Sequence, residues 1–275
     1  LGRHGRTSTA YGVGYTCTPD PDLALEDALR EQDGADQAMV TPSQGVHIVV
    51  DQKFLPGSTG LMIPKTADGR VLFAVPWLGK VILGTTDTPR HDLPKEPLAF
   101  DAEVDFILKE SANYLRHAPT RDDVKSIWVG LRPLVKSTQA TGKTTKDLSR
   151  EHTILVSPSG LVTVTGGKWT TYRAMAEDVL QQCLAHRLVS FRQAAQTHHL
   201  KLVGSGNQAP VSICEAQGLH GYGSEQAWVR ALPGNAVWLC EGLTEAMVRF
   251  AARYEYAITV EDVLARRSRL LFLDA

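Results

Sequence analysis

The chain has 275 residues, 43% hydrophobic and 21% charged, close to the globular average and unlike a disordered chain. Twenty-nine Lys and Arg face 30 Asp and Glu, a net charge of −1, which argues against nucleic-acid binding by bulk charge but leaves room for a local cation cluster around a small anion. The length admits one large domain or two modest ones, no apolar run approaches the ~20 residues of a membrane-spanning helix, and residues 1–15 lack a signal peptide's apolar core.

Cys17, Cys183, Cys214 and Cys240 are scattered without a C-x-x-C pair. They read as structural or incidental thiols of a reducing compartment, with no metal-ligand spacing.

In chain order, residues 1–40 carry weak periodicity apart from a short helix over Leu23–Leu29. Strands are then predicted at Gly45–Val50, Leu61–Pro64, Arg70–Pro76 and Val81–Gly84, with turns at Ala67-Asp68-Gly69 and Trp77-Leu78-Gly79-Lys80; the short Gly-containing connections predict an antiparallel meander. A helix follows, capped by Asp101, with Val104, Ile107, Leu108, Ser111 and Leu115 on one face. Ser126–Leu131 is a further strand ending in Arg132-Pro133, and 136–149 is a polar loop. His152–Val156 and Leu161–Thr165 form strands around a Ser157-Pro158-Ser159-Gly160 turn and lead into Gly166-Gly167-Lys168 and a long helix. Beyond about 190 the pattern is helical, over 224–231, 244–257 and 260–272. Thr259 can cap the last segment, whose inner residues are predicted as Val260, Val263, Leu264, Leu270 and Leu271. The change of pattern marks a domain boundary near 190–205.

Gly204-Ser205-Gly206-Asn207-Gln208-Ala209 fits G-x-G-x-x-A, but Pro210 follows at once. A dinucleotide fingerprint must open a helix, so this segment is read as a loop. The run Leu161–Arg173 is sharper: a strand, two glycines, a lysine and a helix start. Glycines let a flat ligand approach the backbone, and the helix start favours an anion or electron-rich atom. Arg132, Arg150 and Lys168 are three cations near strand ends, a set that suits a phosphate. His47 shares a strand face with Gly45 and Val49 and is either a base or a satisfied core histidine. Gly84-Thr85-Thr86-Asp87-Thr88 ends a strand in clustered hydroxyls, a polar turn or a ligand contact.

GVHIVV (45–50), GLMIPKTADGRVLFAVPWLG (60–79), GTTDT (84–88), GLRPL (130–134), SREH (149–152) and GGKWTTYRAMAED (166–178) occur in this order. Together they resemble the FAD-dependent glycerol-3-phosphate dehydrogenases, especially the mitochondrial type, over roughly residues 26–275. YEYAITVEDVLARRSRLLFLD (254–274) is similar to that family's C-terminal domain. The family opens with a strand and GxGxxG helix that hold the FAD diphosphate. The sequence shows no such segment, so the expectation is a partial chain that binds FAD weakly by itself and lacks one substrate-binding arginine.

The resemblance implies an α+β architecture. A mixed, antiparallel β-sheet substrate-binding (cap) domain spans 41–134, after a poorly readable segment 1–40. The returning part of a glutathione-reductase-like FAD-binding domain spans 135–190, and an all-helical C-terminal domain 191–275. It implies oxidation of sn-glycerol 3-phosphate to dihydroxyacetone phosphate by hydride transfer to FAD, with electrons passed to ubiquinone at a membrane surface. The place would be the mitochondrial inner membrane, peripherally, or the cytoplasmic membrane of a bacterium, with a homodimer possible. His47 becomes the candidate base, and Arg132 the arginine beside the substrate. Arg150 and Lys168 surround phosphate and flavin, while Gly166, Gly167, Thr170 and Thr85 face the cofactor. Two alternatives stay open: a catalytically inert truncated product or paralogue, and an amine-oxidising flavoprotein of the same superfamily.

Overall fold

The computed structural model describes residues 22–94, 96–135, 152–206 and 211–275. They divide into two compact units. One holds residues up to Gln44, Asp87–Pro97 and Gly130–His198; the other holds Gly45–Thr86, Leu98–Val129 and His199–Ala275. Strands β1 (Val40–Asp51) and β6 (Ser126–Val135) each have residues in both units, and they pair with one another. The chain thus combines helices with an antiparallel sheet.

In the second unit, β2 (Leu61–Ile63), β3 (Leu72–Trp77), β4 (Lys80–Gly84) and β1 run antiparallel in the order β2-β3-β4-β1, the meander expected from the short turns. Alternation does the folding work. Val46, Ile48 and Val50 of β1, Leu72 and Ala74 of β3, and Val81 and Leu83 of β4 point to one face and are almost fully buried. Helix α2 (Asp101–Ala112) covers that face with Val104, Ile107 and Leu108. Each such aliphatic side chain contributes roughly 1.5–3 kcal/mol by leaving water. The β3–β4 turn places Leu78 (φ 49°) and Gly79 (φ 80°) in the left-handed region, as two-residue hairpins require. Leu78 N donates to Ile213 O (2.8 Å) and Gly79 N to Cys214 O (3.0 Å), which holds the turn in place.

Three details correct the sequence expectations. Asp101 does not cap α2; it is the first helical residue, and the Glu103 carboxylate accepts from Phe100 N at 3.0 Å instead. Glutamate reaches back from the third position, where aspartate at the first would point along the helix. Strand β6 does not stop at Arg132 but continues through Pro133 to Val135. The 260–272 segment is not one helix. A π-helical turn (Asp262–Arg267) ends at Ser268, Arg269 is left-handed (φ 58°), and a short helix, Leu270–Leu273, follows. That break resets the periodicity. Val263 and Leu273 are buried, whereas Val260 is 75% and Leu271 40% exposed. Thr259 does cap this segment, its hydroxyl accepting from Asp262 N at 3.1 Å.

The 199–275 stretch gathers its own core of Val229, Leu243, Ala246, Met247, Phe250, Ala251 and Val263. Helices Gln226–Ala231 and Glu245–Tyr254 supply most of it. A small hairpin, Trp238–Cys240 with Leu243–Thr244, interrupts the helical run.

In the first unit, helix α1 (Asp22–Gln32) matches the short helix predicted there, and its Asp27 carboxylate accepts from Met39 N (2.8 Å) and Val40 N (3.2 Å) at the start of β1. β7 (Thr153–Val156) and β8 (Val162–Thr165) form the expected hairpin. Helix α3 (Tyr172–Ala185) packs against β7.

Candidate functional site

His47 stands on β1 directly opposite Gly84 of β4. It points away from the face of Val46 and Ile48 and is half-buried. A Cβ on Gly84 would lie 2.6 Å from His47 Cδ2 and 3.0 Å from Val46 O; the missing side chain is what admits the imidazole. The His47 ring stacks on the Trp128 indole, centroids 4.3 Å apart and planes 17° apart.

Just beyond Gly84, Thr85 is half-buried and donates to Thr86 O at 3.2 Å. Thr86 is 1% exposed. Its Oγ1 accepts from Val46 N (3.0 Å) and donates to Glu103 Oε1 (2.9 Å). This buried relay fixes the backbone next to His47 from α2. Gly84→Ala is therefore expected to push the imidazole off its seat, at a stability cost of about 1–3 kcal/mol, as for overpacking a filled site. Thermal denaturation of Gly84→Ala beside wild type checks it.

In the first unit, β8 ends at the buried Thr165, and Gly166 (φ 74°) and Gly167 (φ 83°) turn the chain in the left-handed region. A side chain at Gly167 would be strained by its φ and would have to displace the end of Met175, since its Cβ would sit 2.6 Å from both Met175 Sδ and Met175 Cε, and 3.1 Å from His152 Cβ. Lys168 and Thr170 are exposed. Lys168 O accepts from Thr171 N (3.0 Å) and Thr171 Oγ1 (2.9 Å), which starts the Trp169–Thr171 helical turn ahead of α3. The first N–H groups of such a start have no intrahelical acceptor. His152 Nε2 and Asp178 Oδ2 pair at 2.8 Å beside this turn, tying the strand entry to α3. Arg132 is half-buried on β6. Arg150 lies outside the described residues, as do 136–151, 207–210 and Cys17.

Burial pushes the Glu26 carboxyl of α1 up to about 7, with Asp27 adding to the rise and Thr165 and Arg30 opposing it. The two groups face each other, yet neither Glu26 Oε1 nor Thr165 Oγ1 has a hydrogen-bond partner among the described residues. A carboxyl raised on folding contributes its full stability below its ordinary 4.5 and loses it as pH rises through about 7. Glu26→Gln is thus expected to match wild type in acid and to exceed it by about 1–3 kcal/mol at alkaline pH. Denaturant titrations across that range read the difference.

The sequence singled out His47, Thr85, Gly166, Gly167, Lys168, Thr170 and Arg132. The structure brings His47 and Thr85 into one unit, and Arg132, Gly166, Gly167, Lys168 and Thr170 into the other. Gly84, Trp128, the Thr86–Glu103 relay, Glu26 and the His152–Asp178 pair were missed. Their only sequence signal was membership of the GTTDT, SREH and GGKWTTYRAMAED segments or, for Trp128, of the strand Ser126–Leu131, with none for Glu26 and Glu103, because cross-strand register and burial have no local signature.

The glycine turn is compatible with a flavin edge at Gly166 and Lys168: Gly166 is half-buried in the left-handed region, and the exposed Lys168 adds positive charge beside it, while Gly167 is buried under Met175 and His152.

Comparison with known proteins agrees. Residues 21–173 match the family described as FAD dependent oxidoreductase. The mitochondrial glycerol-3-phosphate dehydrogenase of Schizosaccharomyces pombe is 35% identical over 329 residues, covering 98% of this chain and 50% of the relative. The human mitochondrial glycerol-3-phosphate dehydrogenase is 36% identical over 295 residues, covering 98% of this chain and 40% of the relative. Among solved structures, the glycerol-3-phosphate dehydrogenase of Bacillus halodurans complexed with FAD aligns with a TM-score of 0.67 at 26% identity, over 92% of this chain and 52% of that one. The chain thus spans about half or less of the length of the curated relatives it matches. With more than half of its residues inside the match, the chain belongs to the family of FAD dependent oxidoreductases.

Proposed function

We propose that the protein oxidises sn-glycerol 3-phosphate to dihydroxyacetone phosphate with FAD as cofactor and passes the electrons to ubiquinone. The observation that carries this reading is the likeness to named glycerol-3-phosphate dehydrogenases over 90–98% of the chain. Bound FAD supplies the hydride acceptor. The chain's own residues bind, orient and deprotonate. His47, stacked on Trp128, takes the C2 hydroxyl proton on an unprotonated ring nitrogen. Arg132, Arg150 and Lys168 neutralise the substrate phosphate, the two arginines as planar forks and the lysine as a point charge. The family likeness assigns Gly166, Gly167, Thr170 and Thr85 to the cofactor.

The same reading assigns 41–134 to the substrate domain, 135–190 to the FAD-binding domain and 191–275 to a C-terminal domain, helical but for the Trp238–Thr244 hairpin. It places the protein in the mitochondrion, peripherally on the inner membrane, and allows a homodimer. The relatives' mitochondrial names support the mitochondrial part of that placement. Among the described residues no helix is long and apolar enough to cross a membrane.

Steady-state assay of the full-length protein with a soluble quinone analogue tests the proposal. Turnover of glycerol 3-phosphate but not of glycerol or sarcosine is expected. Preference for the amine, or no turnover of any of them, would overturn it.

A further inference from the structure

Trp128 has no place in the chemistry described so far, yet it touches the one candidate base. Its indole lies flat on the His47 imidazole at 4.3 Å. Among the described residues it also meets the Phe272 ring edgewise, at 5.5 Å and 84°. The Trp128 indole nitrogen is buried and has no hydrogen-bond partner among the described residues, so stacking rather than hydrogen bonding sets the orientation of this ring. Phe272 is itself anchored. Ser126 Oγ donates to Phe272 O at 2.5 Å, and Ala275 N donates to Lys125 O at 3.0 Å. The charges on this side are paired with each other: Lys80 with Asp51 (2.8 Å) and Asp274 (3.9 Å), and Lys125 with Asp274 (3.8 Å).

We propose that Trp128 is the positioning residue of His47, held at its angle by Phe272 of the C-terminal segment. This rests on the reading of His47 as the base. The imidazole fills the place a Gly84 side chain would take, and the indole supplies a flat wall along its face. That wall limits the side-chain torsions open to the ring. A base must meet its proton at hydrogen-bond distance and angle, and small misplacements cost far more in rate than in binding. The indole face also attracts the cation that the ring becomes once it holds the proton.

The test uses the full-length, FAD-loaded protein labelled at histidine. In wild type the His47 ring protons are expected upfield, shielded by the stacked indole. Trp128→Leu is expected to move them downfield and to lower kcat about ten- to hundred-fold, with KM for glycerol 3-phosphate within about two-fold, as for a residue that acts through His47. Trp128→Phe, which keeps an aromatic wall, should restore most of both signals. Phe272→Leu should give a smaller shift in the same direction, and serves if Trp128→Leu does not fold. Unchanged His47 resonances and unchanged kcat in folded Trp128→Leu or Phe272→Leu would overturn the proposal. So would equal losses in Trp128→Phe and Trp128→Leu. His47→Asn separates the two ideas. If it keeps full turnover, the base reading fails, and the resonances still decide whether Trp128 positions the ring.

Discussion

His47→Asn is expected to keep the fold and the flavin but to lose at least about 10²-fold in kcat, the range found when a general base is removed. The acidic limb of the pH–rate profile should flatten with it. The structure sharpens the contrast with a packing role. Val46, Ile48 and Val50 face the core of their unit and are fully buried, while His47 lies on the opposite face, opposite Gly84 and against Trp128. A packing histidine would give a lower melting temperature with kcat per flavin nearly intact. Stopped-flow flavin reduction, normalised to bound FAD, reads the difference. A rate within about three-fold of wild type, far short of the loss of a base, would end the assignment of His47 as base.

Arg132→Ala is expected to raise KM for glycerol 3-phosphate about ten-fold or more. Losing one charge-assisted contact costs about 1.5–3 kcal/mol, and each 1.4 kcal/mol is about ten-fold in affinity. Arg132 sits half-buried in β6, next to Pro133, which fixes its neighbour's backbone. If the lost contact is to the phosphate, inorganic phosphate should weaken as a competitive inhibitor to a like extent. Measuring KM and phosphate inhibition on one enzyme preparation checks this. A raised KM with unchanged phosphate inhibition would remove Arg132 from the phosphate site.

The period-two strands, the β2–β3–β4 meander and the buried face of α2 were legible in the sequence because each follows from local alternation and short turns. Val104, Ile107, Leu108, Ser111 and Leu115 are all buried, as their spacing required. What was not legible depends on contacts distant in sequence. Gly84 matters to His47 only through the register of β1 with β4. Glu103 reaches Thr86 and Val46 across the face covered by α2. The inner residues of the last segment were misread at Val260 and Leu271 because a left-handed Arg269, unusual for a non-glycine residue, breaks a period that looks continuous. The Trp238–Thr244 hairpin is too short to stand out from a helical stretch. For the candidate site, residue type and spacing singled out the glycine turn and left His47 open between base and core residue. The family likeness, rather than geometry, supplied the base role and the substrate.

The most direct test of the account is anaerobic mixing of the full-length, FAD-loaded protein with glycerol 3-phosphate in the absence of quinone, followed by flavin absorbance in a single turnover. The account predicts that the oxidised flavin band bleaches completely with stoichiometric dihydroxyacetone phosphate, and that glycerol at the same concentration leaves it unchanged. A flavin that stays oxidised with glycerol 3-phosphate, or bleaches equally with glycerol, would contradict it.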